Sequence, residues 1–125
     1  MSNAKLAQFA GQKYLNLESF RKNGQGVRTP LWFAQGEGAL YFYTVAHSYK
    51  VKRIHNNPRV HVAPCDMRGK VKGEWVEATA RLLEGDEARH ADELLNRKYG
   101  LFKRVLNLLA KLRGHKRAAF ALHFD

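Results

Sequence analysis

The chain has 125 residues, 45% of them hydrophobic, and carries 22 Lys and Arg against 11 Asp and Glu, for a net charge of +11. That length suits one domain with a real core rather than two, the apolar share argues against disorder, and no apolar run approaches the roughly 18 to 20 residues that span a bilayer. The excess of cations favours anionic partners, whether a phosphorylated cofactor, nucleic acid or anionic lipid, without choosing among them.

Taken along the chain, MSNAKLAQFAGQKY has no apolar stretch of the kind a signal peptide needs. Residues 1–10 are expected to be flexible or helical, with a short helix over 4–13 turning Leu6, Phe9 and Ala10 inward. Residues 14–20 alternate and predict a strand, and Asn23-Gly24 supplies a hairpin turn. Strands follow over 27–34 and 39–45, separated by a turn at Gly36-Glu37-Gly38. Pro30 inside the second of these strands requires an edge or a bulge. A helix over 48–57 ends at Asn56-Asn57-Pro58. A strand over 59–65, a turn over 66–70 and a strand over 73–83 come next, the last with Val76, Ala78, Ala80 and Leu82 on one face. Asp86 is placed to cap a helix over 86–99 that Gly100 breaks. A second amphipathic helix over 101–113 carries Leu101, Val105, Leu108 and Leu112 on one stripe, and residues 118–124 alternate as a final strand. The count is six strands and two to four short flanking helices in one domain over 1–125, an α+β fold built on an antiparallel barrel.

The single cysteine, Cys65, excludes an intramolecular disulfide and points to a reducing, cytoplasmic setting; on a strand after Pro64 it reads as a small buried hydrophobe. The six histidines show no ligand spacing on any one helix, so no metal site is expected. The basic ending LLAKLRGHKR reads mainly as closing the fold or a dimer, with a membrane or nucleic-acid face as the weaker alternative.

The chemistry concentrates in YFYTVAHSYKVKRIHNNPRV, residues 41–60. An aromatic strand runs into His47-Ser48, Ser48 caps a helix, and Lys50, Lys52 and Arg53 fall on its first turns. Free N–H groups, the positive end of a helix dipole and nearby ammonium groups all favour a phosphate there. Lys52 and Arg53 point different ways because they are successive helical positions. Arg28 lies on the preceding strand and reaches the same place if the two strands pair. Alternation puts Arg28, Pro30 and Trp32 on one face of that strand and Leu40, Phe42 and Thr44 on one face of the next. A flat ring needs a wall of backbone and aromatics, and its phosphate needs cations at one end.

Arg28, the YFYT run, Ser48-Tyr49-Lys50 and NNPRV together resemble the pyridoxamine 5′-phosphate oxidase-like, flavin-binding split-barrel family. Residues 60–73, VHVAPCDMRGKVKG, resemble a branch of it described as oxidoreductases dependent on a deazaflavin, coenzyme F-420. The resemblance implies a six-stranded split barrel. It also implies FMN or deazaflavin as cofactor, and a homodimer with both cofactors at the subunit interface. Its phosphate clamp falls on Arg28 and Lys50 with Ser48 in support, Tyr43 and Thr44 contact the cofactor, and the backbone of Thr29, Pro30, Leu31 and Trp32 lies along the ring. Where the oxidase has an arginine before its lysine this chain has Tyr49, and where it has a basic residue at the strand end this chain has Phe33. The oxidase's substrate-binding tail has no counterpart before Asp125, so pyridoxamine phosphate oxidation itself is not expected.

The leading expectation is an oxidoreductase passing hydride between the cofactor ring and a small-molecule substrate. A flavin-binding or carrier protein without turnover, and a basic barrel binding an anionic polymer, stand as alternatives. No catalytic residue can be named from the sequence.

Overall fold

Among the described residues every strand pairing is antiparallel, as alternating apolar residues joined by short turns require. The computed structural model describes residues 3–36, 38–45, 48–112 and 117–124, and side chains over 5–36, 38–44, 48–100 and 117–124. His47 and residues 113–116 of the basic ending therefore lie outside the described residues, as do the side chains of the stripe over 101–112.

The elements run α1 (Asn3–Ala7), β1 (Tyr14–Phe20), β2 (Gly26–Trp32), β3 (Ala34–Gln35), β4 (Ala39–Val45), α2 (Tyr49–Asn56), β5 (Arg59–Cys65), β6 (Val76–Leu83), α3 (Gly85–Leu112) and β7 (Arg117–His123). One sheet takes them in the order β2-β1-β5-β6-β7-β4-β3. This corrects the sequence expectation of a six-stranded split barrel. There are seven strands, and no ladder joins the two ends of the order among the described residues.

The extra strand arises at Phe33. Its N–H donates to the Tyr99 hydroxyl (3.0 Å), which in turn lies 2.7 Å from the Phe33 carbonyl and 2.5 Å from that of Lys13. With both of its backbone groups bonded to Tyr99, Phe33 leaves the ladder and its ring turns into the core, 0% exposed. Before it, β2 pairs with β1 from Trp32 to Gly26. After it, β3 pairs with β4 through Ala34↔Tyr41 and Gln35↔Leu40 only. The ends of the sheet are thus consecutive in the chain, and β2 and β4 part beyond Phe33.

The core fills the concave face. Leu15 and Leu17 of β1, Leu40 and Phe42 of β4, Val60 and Val62 of β5 and Phe120 and Leu122 of β7 are all within 2% of full burial. Each such side chain contributes about 1.5–3 kcal/mol relative to exposure. Leu6 and Phe9 join them, as expected, but Ala10, expected inward with them, is exposed, because the first helix stops at Ala7 and continues as turns. Helix α2 lies at one end, with Ile54 buried in the core and Val51 packed against it. The convex face of β4 and β7 is covered by α3, whose Ala88 and Ala91 meet Ala119 and Ala121; these small residues let the helix come close.

Gly100 breaks α3, as expected, with φ 57°. Three smaller expectations shift. The helix begins at Gly85, so Asp86 sits in its first turn beside Arg89 rather than capping it. The strand read from 73 begins at Val76, with only an isolated bridge, Cys65↔Val71, before it. Leu82 shares the core side of its strand, opposite Phe120, yet is 50% exposed because the strand ends beyond the covered sheet.

Candidate functional site

Two strands of the concave face finish in hydroxyls rather than hydrocarbons. Ser19 ends the Leu15, Leu17 row of β1, and Thr44 ends the Leu40, Phe42 row of β4. Helix α2 lays one cation on each. Lys50 Nζ donates to Thr44 Oγ1 (2.9 Å), and Arg53 Nε–H donates to Ser19 Oγ (2.7 Å). Ser48 caps the helix as expected, its Oγ accepting from Val51 N–H (3.4 Å).

Electrostatically this end is uncompensated. Burial lowers the Lys50 pKa and the charge of Arg53 lowers it further. Burial also lowers that of Arg53, with Arg21 adding to the effect. Among the described residues no carboxylate pairs with Lys50, Arg53 or Arg21, whereas Arg28, Arg59, Arg81 and Arg89 each hold one. Lys52 points the other way, exposed, with its ammonium 5.4 Å from the Tyr49 ring centre.

Beside this mouth lies a groove of about 550 Å³, within the usual range for ligand sites. Tyr43, Val51, Leu82, Ala118 and Arg117 are among its walls. Thr44 adjoins it directly, since its ladder partner is Ala118 and its chain neighbour is Tyr43. The Arg117 guanidinium lies 4.7 Å over the Tyr43 ring. Burial, then Asp92, raises the Tyr43 pKa well above the ordinary phenol value, so its hydroxyl stays protonated.

The structure therefore brings Tyr43, Thr44, Ser48, Lys50 and Arg53 to one end, and leaves the β2 candidates elsewhere. Arg28 stands on the convex face, 3.0 Å from Glu18 and stacked 4.7 Å over Trp75. Glu18 also faces His61 Nδ1 at 3.3 Å. Pro30 shares that face opposite Asn16, on an edge strand as proline demands. Trp32 stacks on Tyr99 at 4.7 Å, and Thr29 and Leu31 pair with Leu17 and Leu15 on the core side. Since β2 pairs only with β1, its second edge offers backbone N–H and C=O groups along the gap toward β4. Sequence reasoning missed Ser19, Arg21 and Arg117. The one available signal was a serine at a core position of an otherwise apolar row.

Among the described residues no three His, Cys, Asp or Glu cluster to hold a metal, and no helix is long and apolar enough to cross a membrane.

An antiparallel sheet that parts at one strand, with a helix at its end and another along its face, defines a small α+β split-barrel-type domain. A family model described as pyridoxamine 5′-phosphate oxidase matches residues 2–123, and the chain belongs to that family. No curated protein matches it by sequence. Among solved structures it is similar to HutZ, the heme storage protein of Vibrio cholerae. There the identity is 15% and the TM-score 0.69, over 98% of this chain and 89% of that one. It is similar also to an FAD-binding protein of Mesorhizobium loti, with 17% identity and TM-score 0.66, over 100% and 88% of the two chains. A conserved hypothetical protein of Mycobacterium tuberculosis reaches 24% and 0.68, over 97% and 79%. At these identities the likeness speaks for the fold.

Proposed function

We propose that this chain binds a phosphorylated flavin-type cofactor, FMN or the deazaflavin coenzyme F-420, with its phosphate at the start of α2. The observation that carries the reading is Lys50, a cation held half-buried against a neutral hydroxyl, with like charge beside it and no carboxylate. A phosphate there would relieve that repulsion and accept from the free N–H groups of the helix start. The family and its FAD-binding relative support a flavin in particular.

In this reading Lys50 and Ser48 hold the phosphate, and Tyr43 and Thr44 border the ring. The free edge of β2 from Thr29 to Trp32 gives the ring backbone partners. Arg28, held on the convex face by Glu18 and Trp75, stands outside this phosphate site. The bound ring would supply the hydride chemistry; the residues named here bind it, orient it and keep water from its faces. The working form is a homodimeric oxidoreductase of the cytoplasm with a small-molecule substrate over the ring.

A second reading, a binding or storage protein without turnover, is supported by the likeness to the heme storage protein HutZ. In the groove Tyr43 is held protonated, which leaves Glu84 as the carboxylate on its wall. Titrating the apo-protein with FMN and with the deazaflavin coenzyme, followed by fluorescence, tests the cofactor claim. Micromolar or tighter binding of either supports it, and binding of neither contradicts it. Turnover of the reduced complex then separates oxidoreductase from carrier.

A further inference from the structure

The cations at the α2 end extend beyond what one phosphate needs. Arg53 spends its Nε–H on Ser19, which is 1% exposed, and this anchors the guanidinium with its terminal nitrogens unspent. Arg21 follows Ser19 by two positions, at the exit of β1, where its backbone N–H donates to the Gln25 carbonyl (2.9 Å) and Nη1 donates to Gln25 Oε1 (3.2 Å). Lys50 and Arg53 stand one turn apart on α2, and Arg53 reaches the end of β1 that Arg21 leaves, so the three cations follow one another. All the side-chain partners holding them in place, Thr44, Ser19 and Gln25, are neutral. Solvated cations repel one another and spread out; these are instead each tied to a fixed neutral partner at the same end of the fold.

We infer that Arg53 and Arg21 form a second anion subsite beside the one at Lys50, so that the natural ligand carries two anionic groups. A diphosphate and a phosphate followed by a carboxylate tail share that chemistry. The inference rests on the phosphate site proposed above and deepens it. Arg53 and Arg21 are specificity residues that act on the ligand's second charge and leave its ring alone.

The test titrates the full chain with inorganic phosphate and pyrophosphate by calorimetry, in wild type and in the Arg53→Gln, Arg21→Gln and Arg68→Gln variants. Arg68 lies on the 66–70 turn and controls for net charge. Pyrophosphate is expected to bind wild type about tenfold more tightly than phosphate, one well-made charge-assisted contact. That advantage should shrink severalfold in Arg53→Gln and Arg21→Gln and persist in Arg68→Gln, with phosphate itself little changed. Arg21 stands exposed at a hairpin, so its variant reports even where loss of the Ser19 bond disturbs folding. Equal affinity for the two anions, or an equal loss in all three variants, overturns the second subsite and leaves Lys50 intact. Binding of neither anion overturns both sites. Repeating the titration with FMN, FAD and the deazaflavin coenzyme identifies the second group. A preference for FAD marks a diphosphate, a preference for the tailed deazaflavin marks carboxylates, and FMN bound as well as both contradicts the inference.

Discussion

At Lys50 the ammonium donates to the Thr44 hydroxyl, while burial removes water and Arg53 adds repulsion, so it gives up its proton more readily than usual. A bound phosphate reverses the last of these. Arg28 differs, because Glu18 and Trp75 already compensate it. We therefore expect Lys50→Ala to weaken FMN binding by about 1.5–3 kcal/mol, the size of a lost charge-assisted bond, and Arg28→Ala to weaken it less. Calorimetry on the two variants checks the order, and the reverse order would move the phosphate to the convex face. Ser48 and Thr44 are legible in the sequence because a cap and a strand end flank a helix signal. Arg53 on Ser19 is not, since the two lie 34 residues apart and no local pattern joins them.

Cys65 is a second case decided by burial. It is 1% exposed, and its thiol pKa is pushed up to about 11, by desolvation first and the neighbouring Asp66 second. The folded state thus keeps the proton above the pH at which the unfolded chain loses it. That contribution to stability is complete below the ordinary value of 9.0 and fades as pH rises toward about 11. Iodoacetamide at pH 8 should leave the folded protein unmodified and label it fully in denaturant. Rapid labelling without denaturant would show an open site. In Cys65→Ala the loss of stability between those two pH values should be shallower.

At the level of elements, Phe33 and Tyr99 explain where sequence reading fails. Residues 27–34 carry no glycine or turn signal between Gly26 and Gly36, so they read as one strand. What divides them is a hydroxyl arriving from α3, 66 residues away. Tyr99→Phe keeps the ring that stacks on Trp32 and strips the Phe33 N–H of its acceptor. We expect a loss of about 1–3 kcal/mol, the cost of a buried donor left unpaired, read by denaturant melting. A change under about 0.5 kcal/mol would mean that solvent reaches the Phe33 amide. The turns, the Gly100 break and the antiparallel strands are legible because each rests on local chemistry: positive φ, proline or alternation. The order of strands is not, because β7 enters between β6 and β4 from the far end of the chain.

For the whole molecule, the open order of the sheet leaves β2 with an unpaired edge beside the candidate site. In the proposed homodimer a second copy of the chain would shelter that edge. Light scattering on the purified protein should therefore give the mass of a dimer. A monomer at micromolar concentration would leave the ring half exposed and count against the proposed arrangement. Net charge and composition pointed to an anionic partner; only the fold shows where on the surface the charge is left uncompensated.

The central claim is that a phosphate on a flavin-type ring is what Lys50 holds. Its most direct test is a parallel titration of wild type and Lys50→Ala with FMN and with riboflavin, which has the ring and lacks the phosphate. Wild type is expected to prefer FMN by about tenfold or more, and Lys50→Ala to bind the two alike. Equal affinity for FMN and riboflavin in wild type, or an FMN preference that survives in Lys50→Ala, would contradict the account.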